Sequence, residues 1–117
     1  MKMDGNSRYV ESSALGMENP IRVIAQIVAK AGKEDQVKSV LVSLARPTRN
    51  EYGCLQYELL QSCRNPSEFV LIEEWETQAS LDRHTAATHT RIARAKVENW
   101  LEIVPLKVKV QTYQTII

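Results

Sequence analysis

Apolar and polar positions alternate along this chain with a period of two in four stretches and recur at helical spacing in two others. From Ile21 to Lys30, one side of an extended segment carries Ile21, Val23, Ala25, Ile27 and Ala29, because successive strand side chains point to opposite faces. The other side carries Arg22, Ile24, Gln26, Val28 and Lys30, so apolar residues occur on both sides and both are expected to be covered. Ala31-Gly32 turns the chain. After Lys33-Glu34-Asp35, the positions Val37, Val40, Leu41, Leu44 and Ala45 follow the i, i+3, i+4, i+7, i+8 spacing of a helix lying on a core. Pro47 has no amide proton and clashes with the preceding turn. It therefore predicts a break, then an extra helical turn from Pro47 to Asn50 stopped at Gly53.

A second strand is expected from Cys54 to Arg64, with Leu55, Tyr57 and Leu59 opposite Cys54, Gln56, Glu58 and Leu60. Asn65-Pro66-Ser67 reads as a turn and Glu68 to Glu76 as the third strand. Thr77 has the right side chain to cap a helix beginning at Gln78. That helical pattern runs to about Leu101, with a break expected near Thr88, whose hydroxyl would cap the second piece, and Pro105 ends it. Leu106 to Thr115 alternates Leu106, Val108, Val110 and Thr112 with Lys107, Lys109, Gln111 and Tyr113, a final strand.

The order β-α-β-β-α-β is the split βαβ of the ferredoxin-like α+β class, an antiparallel sheet with helices on one face. The uncovered apolar face predicts a homodimer in which a second copy meets it. Residues 1–19 are polar and aperiodic, so they are expected to form a flexible tail ahead of one domain spanning 20–117, with Met3 or Met17 as alternative starts.

Bulk properties narrow the function. The chain has 117 residues, 44% of them hydrophobic and 25% charged, and a net charge of +1, the profile of an ordinary globular domain. It lacks the basic excess of a nucleic-acid binder. No stretch approaches the ~20 apolar residues that span a bilayer, and the leader has no apolar block of the secretory kind. Cys54 and Cys63 are too few for a disulfide framework and read as reduced thiols in a cytoplasmic protein. Neither a Gly-rich phosphate loop nor a nucleophile elbow is present, so no nucleotide cofactor is expected.

The chemistry-bearing groups gather around one strand-to-helix junction: Glu73, Trp75, His84 and His89. Trp75 is either an aromatic surface for a flat substrate or a large core residue. Glu73 shares its face; drawn inward, it would be a carboxylate with a raised pKa able to take a phenolic proton, or else a partner in a structural ion pair. His84 falls with Leu81, Thr85, Thr88, Ile92 and Ala95 on one helical stripe. It would face inward as a general base of near-neutral pKa, or be satisfied by a core hydrogen bond. His89, five positions on, lies about 140° around an ideal helix. The two imidazoles therefore diverge unless the helix breaks, which argues against a metal pair and for a capping or rim position. Tyr57 either lines a pocket or packs in the core.

Three pieces resemble the antibiotic-biosynthesis-monooxygenase-like family, the dimeric α+β barrels. They are Ile21-Arg22-Val23-Ile24-Ala25-Gln26-Ile27, Glu51-Tyr52-Gly53-Cys54-Leu55-Gln56-Tyr57-Glu58, and Phe69-Val70-Leu71-Ile72-Glu73-Glu74-Trp75-Glu76 running on through Leu81, His84 and His89. The resemblance covers about residues 20 to 115. It implies a dimer and a cofactor-independent monooxygenase that oxidises a small aromatic quinol or anthrone with O2, without metal or flavin. In that reading His84, Glu73 and Trp75 are catalytic, and Tyr57, His89 and Gln26 contact substrate. Members of the family also include haem degraders and an isomerase of a phosphorylated signalling sugar, and some have no settled activity. A non-catalytic ligand-binding or stress-related module is thus the alternative from another class. Two features depart from the family pattern. Thr88 stands where the family often has Pro before the second His, and the haem degraders' first-strand Asn is missing, with Gln26 nearest to its place.

Overall fold

Burial alternates along the first strand: Val23, Ala25, Ile27 and Ala29 are buried, whereas Arg22, Ile24 and Gln26 are exposed. In the computed structural model, which describes residues 20–102 and 108–117, this is β1, Ile21–Val28. The proposed tail and the stretch around Pro105 lie outside the described residues. Next come α1, Glu34–Ser43, and α2, Ala45–Arg49. Then follow β2, Cys54–Gln61, and β3, Glu68–Trp75. Helices α3, Gln78–Ala86, and α4, Thr88–Val97, lead to a single 3-10 turn over Glu98–Trp100. The last strand is β4, Val108–Gln114.

The sheet order is β2-β3-β1-β4 and every neighbouring pair is antiparallel. This is the ferredoxin-like α+β arrangement expected from the element order. The register matters for the site: Glu73 stands opposite Tyr57 on β2 and opposite Val23 on β1. Three inward-facing side chains thus lie side by side across the middle of the sheet. A larger core gathers Phe69, Leu71 and Tyr57 with Val37, Leu41 and Val97, while a smaller one joins Val23, Trp75 and Leu81.

Several boundaries differ from expectation for local reasons. Pro47 sits third in α2, within the first turn, where a helix leaves its amides unpaired; it is accommodated there, so the helix begins before it. β2 stops at Gln61, because the Ser62 hydroxyl accepts from the amides of Arg64 and Asn65 and folds these residues into the turn. Cys63 is therefore exposed in that turn and not in a strand. Thr77 caps α3 as expected, in a reciprocal box with Ser80: each side-chain oxygen accepts from the other's amide, at 3.1 Å. Thr88 caps nothing. Ala87, extended at φ −64° and ψ 146°, is the residue before α4 and offers no side-chain hydrogen bond.

Among the described residues, none covers the opposite face of the sheet. Ile24 is 39% exposed and Leu60 47% exposed, with Val70 and Ile72 half-buried between them.

Candidate functional site

Glu51 is placed by backbone geometry before its side chain does anything. It lies between α2 and β2, its amide donating to Thr48 O at 3.0 Å and its carbonyl accepting from Cys54 N at 3.1 Å. Gly53 closes the turn at φ +88°, a left-handed conformation that glycine adopts without a Cβ penalty. The Gly53 carbonyl then accepts from Glu76 N at 2.8 Å, tying the turn to the end of β3.

His84 projects from α3 with Leu81, one turn earlier, and both are buried. Its ring stacks on Trp75, centroids 4.7 Å apart and planes 29° from parallel. The Tyr57 ring meets it edge-on at 6.1 Å. Two carboxylates bracket the imidazole. Nδ1 lies 2.8 Å from Glu51 Oε2, and Nε2 lies 3.8 Å from Glu73 Oε1. The close carboxylate assigns the proton of the neutral ring to Nδ1, which leaves the Nε2 lone pair on the Glu73 side. His89 Nε2 reaches the same Glu51 oxygen at 2.6 Å.

The convergence of the two histidines was not expected from their spacing. The reason is the extended residue Ala87, which interrupts the helix between them and turns α4. The imidazole centroids end up 6.3 Å apart. The same break corrects the single helical stripe inferred from the sequence: Thr90, Ala93 and Val97 face inward on α4, while Ile92 is 52% exposed.

Glu73 is buried on the inner face. Its Oε1 accepts the Trp75 indole N–H at 2.9 Å. Burial holds its carboxyl above the usual carboxylate range; the Trp75 hydrogen bond and His84 pull it back, and Glu51 pushes it further up. The Tyr57 hydroxyl is likewise held well above the usual phenol value, first by burial and then by Glu73. Cys54 is pushed up to about 11, mainly by burial, so it is a poor nucleophile at neutral pH.

A cavity of about 500 Å³ lies between the inner face of the sheet and the helices, within the range of small-molecule sites. Apolar side chains dominate its wall, Val23, Ala25 and Leu71 from the sheet and Leu41 and Val97 from the helices. Its polar groups include Glu73, His84, Tyr57, Thr90 and Arg94. Of the residues singled out from the sequence, the structure brings Glu73, His84 and Tyr57 to the cavity. Trp75 is fully buried behind His84. His89 joins Glu51 behind the cavity wall. Gln26 is corrected: it is exposed on the other face of the sheet, since the odd-numbered residues of β1 point to the cavity.

Sequence reasoning missed Glu51 and Thr90 as members of the site. Glu51 had only a weak local signal, an acid two residues before a glycine at a helix-to-strand turn. Its importance comes from contacts 33 and 38 residues away. Thr90, buried with its Oγ1 3.4 Å from His84 Nδ1, depended on the turned α4.

Comparison with known proteins agrees with this architecture. The antibiotic biosynthesis monooxygenase family model matches residues 20–96. Rv0793 of Mycobacterium tuberculosis is 32% identical over 81 residues, 69% of this chain and 79% of that protein. Its solved structure aligns with a TM-score of 0.75 over 83% of this chain and 95% of that one. PA3566 from Pseudomonas aeruginosa gives a TM-score of 0.79 at 32% identity, covering 86% of this chain and 98% of that one. The fold, the element order and the extent of the family match lead to one statement: this chain belongs to the antibiotic biosynthesis monooxygenase family.

Proposed function

We propose that this protein is a cofactor-independent monooxygenase that oxidises a small aromatic quinol or anthrone-type compound with O2. The observation that carries the reading is His84, with one ring nitrogen anchored on Glu51 and the other directed to Glu73 at the wall of an apolar cavity.

In this mechanism the substrate ring lies among the apolar side chains, with Tyr57 and Glu73 near its oxygens. His84 Nε2 accepts the hydroxyl or benzylic proton. The imidazolium is stabilised by the Glu51 carboxylate on Nδ1, and Trp75 fixes the ring plane by stacking. Glu73, itself held by the indole N–H, orients the ring and stabilises the transferred proton. The substrate anion passes one electron to O2, and the superoxide and substrate radical combine to form a C–O bond. For an anthrone, loss of water from the resulting hydroperoxide converts CH2 to C=O. One oxygen atom goes to product and the other to water, and the substrate supplies all four electrons, so the balance needs no external reductant.

The half-exposed apolar sheet face around Ile24 and Leu60 supports a homodimer. Among the described residues no helix is long and apolar enough to cross a membrane, and a cytoplasmic location fits the free thiols. The test is oxygen uptake by chelator-treated protein with a panel of hydroquinones, naphthoquinols and anthrones. Saturable uptake above the autoxidation blank, lost in His84→Ala, supports the oxygenase. Absence of uptake throughout the panel moves the reading to a ligand-binding module of the same fold.

A further inference from the structure

Behind the cavity wall, Glu51, His84 and His89 form a second constellation, of which His84 alone lines the cavity. Two imidazole nitrogens, His84 Nδ1 and His89 Nε2, aim at one carboxylate oxygen from separate helices, at 2.8 and 2.6 Å. All three donor atoms lie within 4.8 Å of one another. Around a tetrahedral ion with bonds of about 2.0–2.1 Å, neighbouring donors stand roughly 3.3 Å apart. The two carboxylate-to-imidazole gaps would therefore open by about half an ångström or slightly more to admit an ion, and the imidazole-to-imidazole edge, within 4.8 Å, would adjust toward the same spacing. Thr90 Oγ1, 3.4 Å from His84 Nδ1, adds an oxygen beside the cluster. Two imidazoles and one carboxylate form a donor set that suits borderline first-row divalent ions better than Mg2+ or Ca2+.

We propose that Glu51, His84 and His89 bind a divalent transition metal ion of the zinc class, and that the ion controls which nitrogen of His84 carries the proton. Without metal, the Glu51 carboxylate holds that proton on Nδ1. An ion takes the Nδ1 lone pair, and the neutral ring must then keep its proton on Nε2, facing Glu73. An Nε2 that already carries a proton cannot accept another from substrate. The metal therefore acts as an off-switch for the His84 base; this consequence rests on the proposed oxygenase reading, whereas the binding and the tautomer change do not.

The test is titration of the full-length, chelator-stripped, untagged protein with Co2+, followed by visible absorption, and with Zn2+, followed by histidine nitrogen NMR. The expected result is a Co2+ band saturating at one ion per chain, displaced by Zn2+ and lost in both His89→Ala and Glu51→Gln. Zn2+ should raise the melting temperature of the wild type but of neither variant, and should move the His84 proton from Nδ1 to Nε2. Should His89→Ala fail to fold, His89→Gln replaces it as the ligand deletion. No saturable band, or a band that survives both replacements, overturns the site. Binding that leaves the His84 tautomer unchanged overturns the switch. Oxygen uptake by the stripped protein is measured separately, so failure of the oxygenase reading remains distinguishable from failure of the metal site.

Discussion

The Trp75 indole N–H donates to Glu73 Oε1 at 2.9 Å, linking two residues of one strand whose side chains share the inner face. The bond gives the fully buried indole its polar partner. It also spends one lone pair of a carboxylate that burial has made costly to ionise. The same indole supports the flat side of His84. Trp75 thus contacts both Glu73 and His84, two of the polar groups that face the cavity.

That relationship gives a pH-dependent prediction for Glu73→Gln. The folded-state pKa of Glu73 is raised, so the folded protein holds this proton at pH values where the unfolded chain has released it. Stability contributed by the group is present below the unfolded carboxylate pKa and is lost as pH rises through the folded one. Glutamine removes that dependence while keeping an oxygen for the indole N–H. Denaturant melts of metal-free protein from acid to neutral pH should show the variant gaining on the wild type as pH rises. A difference that stays flat with pH, or shrinks, contradicts the buried-carboxylate argument.

Glu51 should matter to turnover through His84. On the proposed oxygenase reading, His84→Ala should remove general-base catalysis, worth roughly 10²–10⁴-fold in kcat. Glu51→Gln keeps a hydrogen-bonding side chain but loses the charge that stabilises imidazolium, so it should lower kcat less than His84→Ala does and leave KM nearly unchanged. Histidine nitrogen NMR of the metal-free variant should show Nδ1 losing its dominance as the protonated nitrogen. A rise in KM alone, with the tautomer unchanged, would assign Glu51 a merely structural part.

The pattern of the sequence carried the sheet further than it carried the site. Period-two alternation placed β1 and β3 to within two residues, because each strand buries one face and exposes the other to a different degree. Thr77 was legible as a cap, since its side chain satisfies amides only three residues away. His84 and Glu73 were legible as inward groups from their faces. The meeting of His89 with Glu51 was not, because it depends on one extended residue, Ala87, between two helices of ordinary composition. Gln26 shows the converse: a one-residue difference in register along β1 decides whether a side chain meets the cavity or the far face.

Gly53 and Gly32 offer a controlled pair for the turn that carries Glu51. Both have positive φ, +88° and +86°. A Cβ on Gly32 would meet no heavy atom of the described residues within 4 Å, whereas one on Gly53 would lie 2.4 Å from Ser80 Cβ. Gly32→Ala should therefore cost about 1–2 kcal/mol for the left-handed backbone alone. Gly53→Ala should cost more, because Ser80 is locked in the α3 cap and cannot yield. It should also reduce turnover by displacing Glu51. Equal melting temperatures for the two variants would remove the steric part of the argument.

The outer face of the sheet makes the last prediction. Ile24 stands opposite Ile72 on β3, and Leu60 opposite Val70, so these four side chains share one surface that the helices do not cover. Apolar side chains at the middle of an open sheet are stabilised by removal from water, at roughly 25 cal/mol per Å², and a self-complementary contact between two copies provides that removal. Ile24→Glu places a charge at the centre of the surface, where burial without a partner is strongly unfavourable. Within a monomer the same residue is already 39% exposed, so its substitution should disturb the single chain far less. Sedimentation velocity should show a dimer for the wild type and a folded monomer for Ile24→Glu. Because Val23, Ala25 and Ile27 keep their inward faces, the cavity and the His84–Glu51 pair should survive in that monomer. A wild-type chain that sediments as a monomer at all concentrations tested would remove the self-association argument and leave the sheet face for another partner.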